Sequence, residues 1–151
     1  MKPSYAFNTM ESPVMVQDDR RGLELPAVQE TLITSIRKVS AALGTGRRES
    51  VYQCALKHEL QKSIGGMVML EYPIPILYEA ERVGVSYLDI LLQQNFFVEV
   101  KATAKIGGKD LLQAQAYARD SGLLGALVNF KQSATGGVEF VLVNGSGKLK
   151  T

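Results

Sequence analysis

The stretch Val83–Lys101 reads VGVSYLDILLQQNFFVEVK, and its reading decides the fold. Two runs rich in β-branched and aromatic residues, Val83 to Leu92 and Phe96 to Lys101, flank the polar Gln93-Gln94-Asn95, the pattern of an antiparallel hairpin. Residue 94 is the centre of that turn, so a regular register sets Asp89 directly opposite Glu99. Directly opposed residues share a face of the sheet with Cβ atoms about 4.5–5.5 Å apart, close enough for two carboxylates to share one divalent ion. Lys101 lies two residues beyond Glu99 and points the same way. Leu88, Ile90, Leu92, Val98 and Val100 fall on the other face and read as core.

Two carboxylates so close repel each other, and partial burial raises the pKa of one of them unless a cation compensates. The residues alone leave two readings. In the functional one, Asp89 and Glu99 ligate Mg²⁺ or Mn²⁺, the carbonyl of Val100 is a further protein ligand, and Lys101 orients or deprotonates an attacking water. In the other, the three side chains are a salt-bridged trio on a half-exposed sheet, since charges on strands mostly face solvent.

Upstream, Pro26 suits a helix start, and Val28, Leu32, Ile36, Val39 and Leu43 recur at helical spacing up to Gly44. A second helix is predicted over 47–64, capped by Thr45 or Gly46, with Val51, Ala55, Leu56 and Leu60 as its apolar stripe. Met67 to Tyr78 alternates and contains Pro73 and Pro75, which suits an edge or bent strand. Downstream, Lys109 to Asp120 reads as a helix with Leu112, Ala116 and Tyr117 at helical spacing. Leu123 to Phe130 and Val138 to Asn144 read as strands. The order helix, helix, three strands, helix, two strands describes an α/β domain around one sheet.

The chain has 151 residues, 46% hydrophobic and 21% charged, which fits a single domain with a real core. No apolar run approaches the roughly 20 residues of a membrane-spanning helix. Residues 1–25 lack the basic start and apolar stretch of a signal peptide and read as a flexible N-terminal arm. Residues 26–145 read as the domain and 146–151 as a short tail. A single cysteine, Cys54, excludes an intramolecular disulfide and a multi-cysteine zinc site and favours an intracellular setting, cytoplasmic or nuclear. Cys54 itself reads as a helix core residue and His58 as an exposed one. The net charge is only +2, but residues 67–100 carry a net −4 between basic flanks, an arrangement shared by phosphate-cleaving sites and ordinary solvated surfaces. Arg47 and Arg48 at a helix start, and Lys105 and Lys109 after the second strand of the hairpin, are candidates for nucleic-acid phosphate contact, with plain surface charge as the alternative.

Several blocks are more specific. Leu43-Gly44-Thr45-Gly46-Arg47-Arg48-Glu49-Ser50-Val51-Tyr52, then Gly84 to Asp89, Val98 to Ala102, Gln113 with Tyr117, and Leu127 to Phe130 occur in order. Together they resemble the GxxExxY protein family, with Gly46, Glu49 and Tyr52 at its named positions; that family belongs to the PD-(D/E)XK nuclease superfamily. The likeness spans residues 30 to 143. It implies a restriction-endonuclease-like (PD-(D/E)XK) core, a mixed central sheet flanked by helices. It also implies Mg²⁺- or Mn²⁺-dependent hydrolysis of phosphodiester bonds in nucleic acid, DNA foremost. By the same likeness Asp89 and Glu99 are metal ligands, Lys101 is the catalytic lysine, Glu49 is the first-helix acid able to help hold a metal or its water shell, and Gln113 is the polar residue of the following helix. The competing expectation is a nucleic-acid-binding or protein-interaction module that keeps this fold with little or no catalysis. The small net charge implies modest, salt-sensitive DNA affinity, which a homodimer would raise by doubling the surface.

Overall fold

The computed structural model describes residues 25–64 and 67–145, so apart from Leu25 the expected arm and tail lie outside the described residues. Helices α1 (Leu25–Leu43) and α2 (Glu49–Ile64) precede strands β1 (Val68–Tyr78), β2 (Glu81–Leu92) and β3 (Phe96–Lys101). Helix α3 (Gly108–Ser121) and strands β4 (Leu124–Phe130) and β5 (Val138–Val143) follow. The five strands form one sheet in sequential order. Only β3 and β4 run parallel, joined through α3, so the sheet is mixed as expected.

Alternation along the strands divides the core in two. Ile90, Leu92, Phe96, Val98, Val100, Ala126, Val128, Phe130, Phe140 and Leu142 pack beneath α1 and α2. Leu91, Phe97, Leu127, Val141 and Val143 face Ile106, Ala114 and Ala118 of the α3 side. The apolar stripe read for α1 is where Leu32, Ile36 and Val39 are buried. β1 is an edge strand, which is where its prolines cost no ladder hydrogen bond. The β2–β3 turn is made by Gln93 and Gln94, both at positive φ.

Four expectations need correction. α2 begins at Glu49 rather than 47, because Gly44 and Gly46 sit at positive φ and keep the chain in a turn. Its buried face is Tyr52, Gln53, Leu56 and Leu60; Val51 is partly exposed and Cys54 is exposed, not core. The face is turned because the Tyr52 ring stacks on Phe130 with centroids 4.6 Å apart. On α3, Leu112 faces solvent, and Ala114, Gln115 and Ala118 are buried instead. Small alanines let this helix lie close to the sheet. Finally, Leu88 packs with Ile74 on the α3 side rather than with Ile90 and Leu92.

That last difference has a local cause. In β1, Val68 and Leu70 belong to the α1–α2 side but Ile74 to the other; in β2, Ile90 and Leu92 belong to the first side but Leu88 to the other. Both strands therefore change phase at the level of Glu71 and Asp89. The β1–β2 ladder runs through Leu70↔Ile90 and Tyr72↔Leu88 but omits the pair between them, and Glu71 adopts φ 53°. The break in pleat is where the charged residues stand.

Candidate active site

Continuing the register of Ile90↔Val98 by one step sets Asp89 opposite Glu99, as the sequence arithmetic expects. The regular ladder stops before that pair, and side chains replace it. The Asp89 N–H donates to Glu99 Oε1 at 3.1 Å, and the Val100 N–H donates to Asp89 Oδ2 at 2.8 Å. The Asp89 carbonyl accepts from Gln53 Nε2 at 3.0 Å. Asp89 is thus excluded from both neighbouring ladders, yet its main-chain groups are satisfied. Its carboxylate and that of Glu99 turn into the space between β2 and β3, with one oxygen of each fixed by a main-chain donor.

Glu99 is buried, 3% exposed, and Asp89 is half-buried. Burial raises the pKa of both above the ordinary carboxylate range. For Glu99 the adjacent Asp89 charge adds to the rise; for Asp89 the Val100 N–H opposes it while Glu49 and Glu71 reinforce it. Lys101 lowers both, but without contact: among the described residues neither carboxylate has a lysine or arginine within 4.0 Å, the ion pairs being those of Glu59 with Lys38 and Lys62. Lys101 Nζ donates instead to Gln113 Oε1 at 2.8 Å. A salt-bridged trio is therefore not the arrangement found. The two acids form a carboxyl pair, Glu99 buried and Asp89 half-buried, and the Lys101 ammonium is held aside by a helix amide.

α3 is drawn over this site by a buried amide. Asn129, 0% exposed, accepts the Thr103 N–H at 2.9 Å and donates to the Thr103 carbonyl at 3.1 Å and to Glu139 Oε1 at 2.9 Å. Glu139 Oε1 also accepts the Ile106 N–H at 3.0 Å. The loop after Lys101 is thereby pinned, and α3 starts with Asp110 Oδ2 accepting the Gly107 N–H at 2.9 Å. Gln113 on this helix meets Lys101, and Tyr117, one turn on, is near enough to the acids to feel their charges. The Tyr117 hydroxyl is pushed up to about 12 by burial first, then by the charges of Glu99, Asp89 and Glu71.

Glu49 stands in the first turn of α2, near enough for Asp89 to feel its charge. The turn that presents it is latched. Gly46 N–H donates to Gln132 Oε1 at 2.7 Å, Gln132 Nε2 donates to Tyr52 Oη at 3.1 Å, and Tyr52 Oη donates to the Gly44 carbonyl at 2.7 Å. Arg47 and Arg48 at this turn, and Lys105 and Lys109 beyond β3, are all exposed and outside the ion pairs formed among the described residues.

No three His, Cys, Asp or Glu side chains converge closely enough among the described residues to enclose an ion unaided. The donor set still suits a hard divalent cation. The carboxyl groups of buried Glu99 and half-buried Asp89 adjoin each other, one oxygen of each is fixed by a main-chain N–H, and among the described residues no lysine or arginine pairs with either. Magnesium ordinarily takes one or two protein carboxylates and completes its shell with water and substrate phosphate. Sequence reasoning missed Glu71, Gln53, Gln132 and the Asn129–Glu139 pair as parts of this assembly. For Glu71 the spacing gave no signal, because the register shift between Ile76 and Leu77 is what moves it from the level of Leu88 to that of Asp89.

A family model described as the PD-(D/E)XK nuclease superfamily matches residues 26–141. No curated protein and no solved structure gives a match.

Proposed function

The chain belongs to the PD-(D/E)XK nuclease superfamily, and on that premise we propose that it is a Mg²⁺- or Mn²⁺-dependent nuclease acting on DNA. Its Gly46, Glu49 and Tyr52 further suggest the GxxExxY proteins within that superfamily. The observation that carries the reading is the Asp89–Glu99 pair, largely buried and without a lysine or arginine partner among the described residues, beside a lysine that hydrogen-bonds an amide rather than the acids.

Asp89 and Glu99 would hold the ion, with the Val100 carbonyl as a further donor and Glu49 on its water shell. A bound Mg²⁺ or Mn²⁺ supplies Lewis-acid stabilisation of the phosphate and a bound water of lowered pKa. The chain's own groups do the rest. The Val100 and Asp89 N–H groups fix the two carboxylates, so that little reorganisation is required. Gln113 accepts one proton of the Lys101 ammonium, and the remaining two would stabilise charge developing on the phosphate. Arg47, Arg48, Lys105 and Lys109 offer exposed charge to the polyanion on either flank. The weak net charge makes that attraction salt-sensitive, and dimerisation would strengthen it. With DNA as substrate and one free thiol, the reading places the protein inside the cell.

Cleavage of single-stranded, duplex and branched DNA, with RNA alongside, tests this with and without Mn²⁺. The parent cuts DNA only with metal, and Asp89→Asn or Lys101→Ala lowers the rate by about 10²–10³ or more. Either variant cutting as fast as the parent overturns the assignment. A parent that binds DNA but cuts nothing is the catalytically silent module instead.

A further inference from the structure

Glu71, Asp89 and Glu99 occupy one register row across β1, β2 and β3: Leu70↔Ile90 and Tyr72↔Leu88 bracket the first pair, and Ile90↔Val98 precedes the second. Glu71 is the unexplained member. It lies inside an edge strand yet holds a left-handed backbone at φ 53°, a conformation that L-residues other than Asn and Asp rarely adopt and that a strand does not require. Its side chain is also fixed from outside the sheet. Gln53, buried on α2, gives one amide proton to Glu71 Oε1 at 2.9 Å and the other to the Asp89 carbonyl at 3.0 Å. One side chain thus ties the Glu71 carboxylate to the main chain of Asp89. No lysine or arginine neutralises Glu71 among the described residues, so its charge reaches both Asp89 and Tyr117.

We propose that Glu71, held by Gln53, is a positioning residue of the divalent-ion site, an outer carboxylate that accepts hydrogen bonds from the ion's bound water across from Glu99. This rests on the ion-binding reading of Asp89 and Glu99. Three acids in a row would otherwise repel without compensation, at a place where the sheet has given up two ladder pairs to arrange them. Exposure of Glu71 on the strand edge leaves its second oxygen open to water. Carboxylates that orient an ion's shell in this way commonly contribute about 10–100-fold to metal affinity.

The test is Mn²⁺ titration of the EDTA-stripped full chain by calorimetry, without nucleic acid, for the parent, Glu71→Gln, Glu71→Ala and Asp89→Asn, with melting temperatures of the metal-free forms. The expected result is a Kd weakened about 10-fold or more by either Glu71 change. Asp89→Asn abolishes saturable binding, and the metal-free Glu71→Gln chain melts no lower than the parent. If both Glu71 variants bind Mn²⁺ as the parent does while Asp89→Asn does not, Glu71 is no part of the site and the ion-binding pair stands. A metal-free melting temperature lowered along with the affinity makes Glu71 merely structural and overturns the proposal. A parent that binds no Mn²⁺, or an Asp89→Asn chain that binds it unchanged, overturns both readings together.

Discussion

The surroundings of Glu99 disfavour its charged form, and this sets how the metal-free chain responds to pH. Its carboxyl and that of Asp89 have pKa values raised above those of the unfolded chain, burial being the first cause. At acid pH both are protonated in both states and the pair costs nothing. As pH climbs from the ordinary carboxylate range, the unfolded chain releases its protons first while the folded pair retains them, so stability falls until the folded pair has ionised. Melting temperatures in EDTA should therefore decline across this range, and Glu99→Gln should flatten the decline. Saturating Mn²⁺ should cancel it, because the metal takes the place of the protons. A parent profile identical to that of Glu99→Gln would show that the pair is not electrostatically strained. The residues of this pair were legible from sequence because their spacing is symmetric about a short turn. Glu71 was not. Counting outward from the Glu79–Ala80 turn sets it opposite Leu88, since the irregularity between Ile76 and Leu77 adds one residue that no composition signal reveals.

The strands obey their sequence patterns more closely than the helices do, for a packing reason. A strand's alternation allows only two phases, whereas α2, with apolar residues spread round its circumference, admits several, and Tyr52 stacking on Phe130 selects the one that buries Gln53. An amide is tolerated there because Glu71 and Asp89 supply its acceptors. Between β3 and β4 the contact is tighter than either strand announces. Phe97 lies directly over Gly125, its register partner, and a Cβ at that position would overlap the ring. Gly125→Ala should destabilise the chain by about 1–3 kcal/mol in urea unfolding, because the ring must leave its place beside Leu91 and Leu127. A variant as stable as the parent would mean that the parallel pair is loosely packed, and that the β3 frame carrying Glu99 and Lys101 is less rigid than described.

Across the molecule, two helices cover one side of the mixed sheet and one covers the other, and the acids sit where β1, β2 and β3 loosen between these layers. The class of fold was readable because the order of elements and a β3–helix–β4 crossover leave few arrangements open. The assembly around the acids was less so. Asn129 with Thr103, and Gln132 with Tyr52, join residues far apart in the chain through side-chain hydrogen bonds that have no periodic signature. Among the described residues no helix is long and apolar enough to cross a membrane. One divalent ion is expected to lodge between Asp89 and Glu99. Crystals soaked in Mn²⁺ should show a single strong anomalous peak about 2.0–2.3 Å from an oxygen of each carboxylate, within reach of the Val100 carbonyl. A peak elsewhere, or none at millimolar metal, would contradict it.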